Sequence, residues 1–233
     1  MSDATVAWLI HYQSRLALHT LRASEAGHPL LLLHGLGERS PSALPAPFEA
    51  WPGSVYGLDF TGHGRSDLAP GGGYTAEILM GDADVAVAHL GSVTVCGRGL
   101  GAYVALMLAG GRARSVRGAI LCDGPGLAGG GPQPSSPRII HPDPAAVGTP
   151  DAFALAELSS DVRPPDYAMS YVRQAMHLGP LERPITVCAK HRPEWLEAVV
   201  ATTDTEEASL TEALDYYASA RPTEESDAFG RHA

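Results

Sequence analysis

Lysine is almost absent from this sequence. Lys190 is the only one among 233 residues, and arginine supplies the rest of the 16 basic side chains. The basic residues form no run, and 26 acidic residues set the formal charge at −10. That balance speaks against a nucleic-acid partner or an anionic membrane surface. Cysteine is scarce as well. Cys96, Cys122 and Cys188 are odd in number, widely spaced and without a CxxC pair, which excludes a disulfide framework and a spaced zinc site. They read as small core hydrophobes in a reducing compartment. No apolar run approaches the roughly 18 residues of a membrane span. The first residues, MSDATVAWLIHYQSR, lack the basic and then apolar order of a secretory signal. A cytoplasmic protein is expected, with no metal and no cofactor.

What is present is a good core former: 45% of the residues are hydrophobic, which suits a single globular domain. Five short apolar runs end near glycine or another turn residue: PLLLLHG (29–35), SVYGLDF (54–60), SVTVCG (92–97), GAILCDG (118–124) and PITVCAK (184–190). Runs of this kind predict strands buried on both faces. Helical patterns separate most of them, at 75–90 and, with almost no polar residue, at 100–110. Strand and helix in alternation predict a mostly parallel, doubly wound sheet. HYQSRLALHTLRA (11–23) alternates like an exposed antiparallel pair. The core is expected at 1–123 and 184–220. Between them, 124–183 opens as a Gly/Pro-rich loop and continues as two short helices capped by Asp151 and Asp166, read as a small helical cap. Asp204 and Glu207 suit a capping box before a last helix with a Leu210, Leu214, Tyr217 stripe, and 221–233 reads as a frayed tail.

Three stretches carry chemistry: LLLLHGLGERS (30–40), LDFTGHGRSD (58–67) and VCGRGLGAYVA (95–105). The second has the pattern Asp-x-x-Gly-x-Gly-x-Ser. The third has the frame in which a nucleophile stands on a strained strand-to-helix turn, with Gly99 at the tip. In this order and spacing they resemble the α/β-hydrolase fold family. The resemblance covers 29–124 well and the remainder loosely. It implies that the backbone N–H groups of Leu36 and Leu100 form an oxyanion hole beside His34 and Gly35; Arg98, read from its own position, is a candidate anion-binding group at the pocket rim. It implies esters and related acyl compounds as the ligand class.

Gly99 has no side chain to react. Asp123 is the candidate acid and His191 a weak candidate base, and no histidine precedes the last helix. Beyond His191 only His232 remains. In a serine protease, removal of the nucleophile costs about a million-fold in turnover. The expectation is therefore a degenerate member that keeps a pocket for a small acyl or carbonyl ligand and lacks triad hydrolysis. A homo-oligomer or a protein partner is compatible with it. Two alternatives remain at this point. One is an active hydrolase, or a cofactor-free lyase or isomerase, with a non-serine acid–base mechanism. The other is a dinucleotide site, because Gly97, Gly99 and Ala102 with Asp123 match Gly-x-Gly-x-x-Ala and a later acid. The duller readings are a loop-holding His34, local backbone bonds for His63 and Ser66, an ion-paired Arg98 and a loop-capping Asp123.

Overall fold

A computed structural model describes residues 5–129, 148–202 and 205–222. Strands β1 (Thr5–His11) and β2 (Ser14–Arg22) form an antiparallel hairpin. The remaining strands are β3 (Leu30–Leu33), β4 (Val55–Leu58), β5 (Val93–Arg98), β6 (Val116–Cys122), β7 (Ile185–Val187) and β8 (Glu206–Glu207). They make one sheet in the order β1-β2-β4-β3-β5-β6-β7-β8. β2 meets β4 antiparallel, and every pairing from β4 through β8 is parallel. The helices are α1 (Ala76–Leu90), α2 (Leu100–Gly111), α3 (Ala152–Ser160), α4 (Pro165–Leu178), α5 (Glu194–Val200) and α6 (Leu210–Ser219).

The central strands are apolar because both their faces are covered. All four leucines of β3 are buried. Leu31 and Leu33 belong to the cluster with α1, α2, α4 and α5, while Leu30 and Leu32 meet Trp51 and Tyr217 on the other face. α2 is buried along its whole length except its last residue, which is why its sequence carries no polar stripe. The faces are covered unequally. β3 and β4 are parallel neighbours, and the crossover between them contains only a single 3₁₀ turn at Ala46–Phe48. That face therefore rests on α6 and irregular chain.

Several expectations change here. β2 is not exposed: Leu16, Ala17 and Leu18 are buried between β1 and β4. Asp151 caps α3 as expected, accepting the Phe153 N–H. Asp166 does not cap α4; it lies in the first turn, after Pro164 and Pro165. Proline suits that start because its missing N–H would have no helical partner there. α4 is also not part of a cap. Parallel β6 and β7 need a crossover, and α4 supplies it by packing on α2 and α5. Among the described residues of 124–183, α3 is the helix that reaches the loop after β4, where Glu157 accepts the N–H groups of Gly73 and Tyr74. The box before α6 is formed by Ser209 and Glu212, while Glu207 is in β8. Asp204, His232, residues 130–147 of the Gly/Pro-rich loop and the tail from 223 lie outside the described residues.

Candidate functional site

The carboxyl ends of β3, β4 and β5 bring the three chemistry-bearing stretches together. After β3, the loop 34–38 is held by two neutral imidazoles whose ring centres are 5.0 Å apart. His34 donates from Nδ1 to the Gly35 carbonyl at 2.8 Å and accepts the Phe60 N–H on Nε2 at 3.2 Å. His63 donates from Nδ1 to the Thr61 carbonyl and accepts the Gly37 N–H on Nε2. Burial, reinforced by His63, lowers the His34 pKa to about 3, and burial lowers that of His63 too. Each ring must stay neutral to keep one donor and one acceptor. Both histidines are loop braces.

The motif after β4 is equally committed. Asp59 accepts the Ser40 N–H, the Arg65 N–H and His19 Nε2 within 2.7–2.8 Å. Burial would raise its carboxyl, but His19 and the two backbone donors outweigh this and hold it below the ordinary value. Ser66 donates to the Asp59 carbonyl at 2.6 Å and accepts the Ala17 N–H. This anchors the Asp-x-x-Gly-x-Gly-x-Ser turn to β2.

At the end of β5 the chain turns into α2 through Gly99, with φ +59° and ψ −124°. Side chains other than glycine rarely adopt that conformation without strain. The N–H groups of Leu36 and Leu100 converge beside it, and both donate to one acceptor, the carbonyl oxygen of Pro125, at 3.0 and 2.9 Å. That oxygen also lies 2.0 Å from where a Cβ on Gly99 would be. The segment that delivers it is as tightly fitted. A Cβ on Gly124 would approach the Gly99 nitrogen to 2.7 Å, and one on Gly126, at φ +74°, would approach Leu36 Cβ to 2.6 Å. Gly99, Gly124 and Gly126 thus interlock around the Pro125 carbonyl.

The other candidates are placed elsewhere. Asp123, exposed at the end of β6, accepts the backbone N–H groups of Lys190 and His191 at 2.7 and 2.9 Å. It caps the turn after β7. His191 meets Asp123 through its backbone and lines a small cleft with Gly124–Gly129 and Ser159. Arg98 is ion-paired with Glu38, whose second oxygen accepts the Gly35 N–H at 3.0 Å. Among the described residues, no group of His, Cys, Asp and Glu is arranged to hold a metal ion. No helix there is long and apolar enough to cross a membrane.

A larger cavity, of about 740 Å³, opens beside the turn on the α6 face. Leu32, Cys96 and Cys122 on the strands, Arg39, Ser40 and Phe48 on the crossover, and Leu210 at the start of α6 contribute to its walls. His34, Gly37, Glu38 and Arg98 reach it as well, whereas Gly99, Leu36, Leu100, Pro125, Asp123 and His191 do not.

The model of the alpha/beta hydrolase family matches residues 30–228. The chain belongs to the alpha/beta hydrolase family. Its fold agrees. The thioesterase domain from the curacin biosynthetic pathway superposes with a TM-score of 0.62 at 17% identity, covering 93% of this chain and 97% of that one. The haloalkane dehalogenase DatA from Agrobacterium tumefaciens gives 0.62 at 15%, covering 94% and 98%. Est1E from Butyrivibrio proteoclasticus, with ferulic acid bound, gives 0.61 at 12%, covering 91% and 96%. No curated protein matches the sequence.

In this member of the alpha/beta hydrolase family the structure gathers His34, Gly35, Leu36, Arg98, Gly99 and Leu100 at the strand ends and leaves Asp123 and His191 outside. Sequence reading missed Pro125, Glu38 and the cavity side chains. Gly-Pro-Gly at 124–126 was the available signal, since glycines that close to a strand end indicate backbone passing close to backbone.

Proposed function

We propose that this chain is a non-hydrolytic member of its family, which binds a small molecule and has its acyl site closed by its own backbone. The observation that carries the reading is the Pro125 carbonyl bonded to both Leu36 and Leu100 N–H. An oxyanion hole works by presenting unpaired donors to a developing negative charge. Here the donors already hold a neutral carbonyl, and Gly99 stands where a serine would attack, with its Cβ direction filled by the same oxygen.

The rival readings draw less support. Asp123 accepts a backbone N–H on each carboxylate oxygen, which fixes it on the turn after β7, and it does not line the large cavity. A dinucleotide pyrophosphate would need the amino end of α2, and the Leu100 N–H there is engaged. Three free thiols, with Cys96 and Cys122 Sγ 4.0 Å apart, suit a reducing, cytoplasmic setting.

The test is turnover of a p-nitrophenyl ester series by the native chain and by Gly99→Ser. Neither is expected to exceed the uncatalysed rate. Steady-state hydrolysis by the native chain, abolished by an acyl-site inhibitor, overturns the reading.

A further inference from the structure

Three cysteines far apart in the chain meet in the sheet. Cys96, Cys122 and Cys188 lie toward the carboxyl ends of the neighbouring strands β5, β6 and β7, and all three pack on the α6 face. All three are free thiols. The sulfurs of Cys96 and Cys122 are 4.0 Å apart, and the Cys122 thiol also meets that of Cys188. Cys122 is therefore the middle member of a row that the acyl site does not use.

Register separates the two pairs. Leu121 is opposite Val187, and the Cys188 N–H donates to the Leu121 carbonyl at 2.8 Å, so Cys122 and Cys188 are the next opposed residues. Paired strands lie about 4.8 Å apart, and disulfides span Cα separations of about 4.4–6.8 Å. On its other side Cys122 is opposite Arg98. Cys96 is thus two residues out of register, which puts its Cα roughly 8 Å from that of Cys122. Cysteines more than about 7 Å apart at Cα cannot be bridged without backbone movement. Solvent reaches the opposed pair: Cys122 lines the large cavity, and Cys188 is partly exposed.

We infer that Cys122 and Cys188 are an oxidisable pair, which a peroxide converts to a disulfide between β6 and the end of β7 while Cys96 stays a thiol. The Cys122 sulfur takes one oxygen of hydrogen peroxide as the O–O bond breaks; the other oxygen leaves as water with the thiol proton, and a sulfenic acid remains. The Cys188 sulfur then attacks that sulfur. The S–S bond forms, the S–O bond breaks, and the hydroxyl leaves as a second water with the Cys188 proton. Two thiols lose two electrons, and the peroxide gains them. The reaction is slow, because thiolate is the attacking form. At Cys188 the Cys122 thiol and burial both raise the ordinary thiol value. At Cys122 the Cys188 contact opposes this, but Cys96 and burial outweigh it. The pair therefore answers sustained oxidant and not a brief exposure. None of this depends on whether the acyl site turns over esters.

The test is prolonged exposure of the native full chain to excess hydrogen peroxide, then denaturation, thiol counting and peptide mapping by mass. Free thiols are expected to fall from three to one per chain, and dithiothreitol should restore all three. Arginines lie between each pair of cysteines, so a tryptic digest puts them on separate peptides, and the linked mass should join those of Cys122 and Cys188. Cys96→Ala should form the same link. Cys122→Ser should form no link within the chain, because β6 then stands between Cys96 and Cys188. Mapping on the native chain decides the pairing even if a variant misfolds. Three thiols left unreacted overturn the inference, as does a link between Cys96 and Cys122. A covalent dimer, or loss of the Cys122 thiol that dithiothreitol does not reverse, overturns it too.

Discussion

Two recesses meet at the carboxyl end of β5, and they are built in opposite ways. Over Gly99 the chain packs backbone on backbone: the Pro125 carbonyl takes both converging N–H groups, and three glycines leave no volume for a side chain. On the α6 face the crossover withholds a helix and leaves about 740 Å³ open. In the first recess the N–H groups of Leu36, Gly99 and Leu100 all have backbone acceptors. In the second, Arg39 has no partner among the described residues. The difference teaches that converging backbone donors can be satisfied within the chain while open volume remains in an adjoining space.

The largest expected effect is at the closed recess. Gly99→Ser puts a Cβ 2.0 Å from the Pro125 oxygen at a φ of +59°. The segment 124–126 must then shift and give up two backbone hydrogen bonds. Urea unfolding should show a loss of about 3–5 kcal/mol, in the range reserved for backbone strain and broken buried networks, and Gly99→Ala should match it. A Gly99→Ser variant as stable as the native chain would mean that the closure is not built in.

A second expected effect is acid sensitivity, at the same recess through His34 and His63 and at the amino end of β3 through His28, whose Nε2 meets Thr94 Oγ1 at 3.0 Å. His34, His63 and His28 all have pKa values lowered by burial, to about 3 for His34 and about 4 for His28. The unfolded chain takes up their protons near pH 6.5, before the native state does. Their contribution is therefore complete above that pH and is lost as pH falls toward 3–4. Each histidine held neutral costs roughly 1.4 kcal/mol per pH unit across that window. His11, raised by its bond to Asp82, opposes this and contributes below pH 6.5. Denaturant midpoints measured from pH 7 to pH 4 should fall steadily; a flat profile would remove the two neutral braces from loop 34–38.

The smallest effect is at Asp123. Its replacement by alanine removes two charge-assisted bonds to exposed backbone and should cost about 1 kcal/mol in urea unfolding. An unchanged urea midpoint would mean that the turn after β7 does not depend on this carboxylate.

Much of the architecture was readable before any coordinates. The leucine run at β3, the small-residue helix α2 and the alternation of strand and helix each follow from burial on both faces of a parallel sheet. The Asp-x-x-Gly-x-Gly-x-Ser turn declared itself through its glycines. Boundaries at 124–183 were harder to place. α4 has one apolar stripe whether it lies in a helical layer or above the strands, so only its contact with α2 distinguishes the two. Asp123 looked like an acid at a strand end, and nothing in its neighbours announced that the turn at 190–191 would claim both oxygens.

Local pattern alone therefore dictates the strands, the sharp bend at Gly99 and the absence of a nucleophile on it, because these depend on residues adjacent in the chain. Tertiary structure decides what the converging N–H groups hold, where Asp123 spends its charge and where empty volume remains. Those outcomes depend on backbone atoms from segments about 25 to 90 residues apart meeting within hydrogen-bond distance, and side-chain periodicity carries no record of where a distant carbonyl comes to rest.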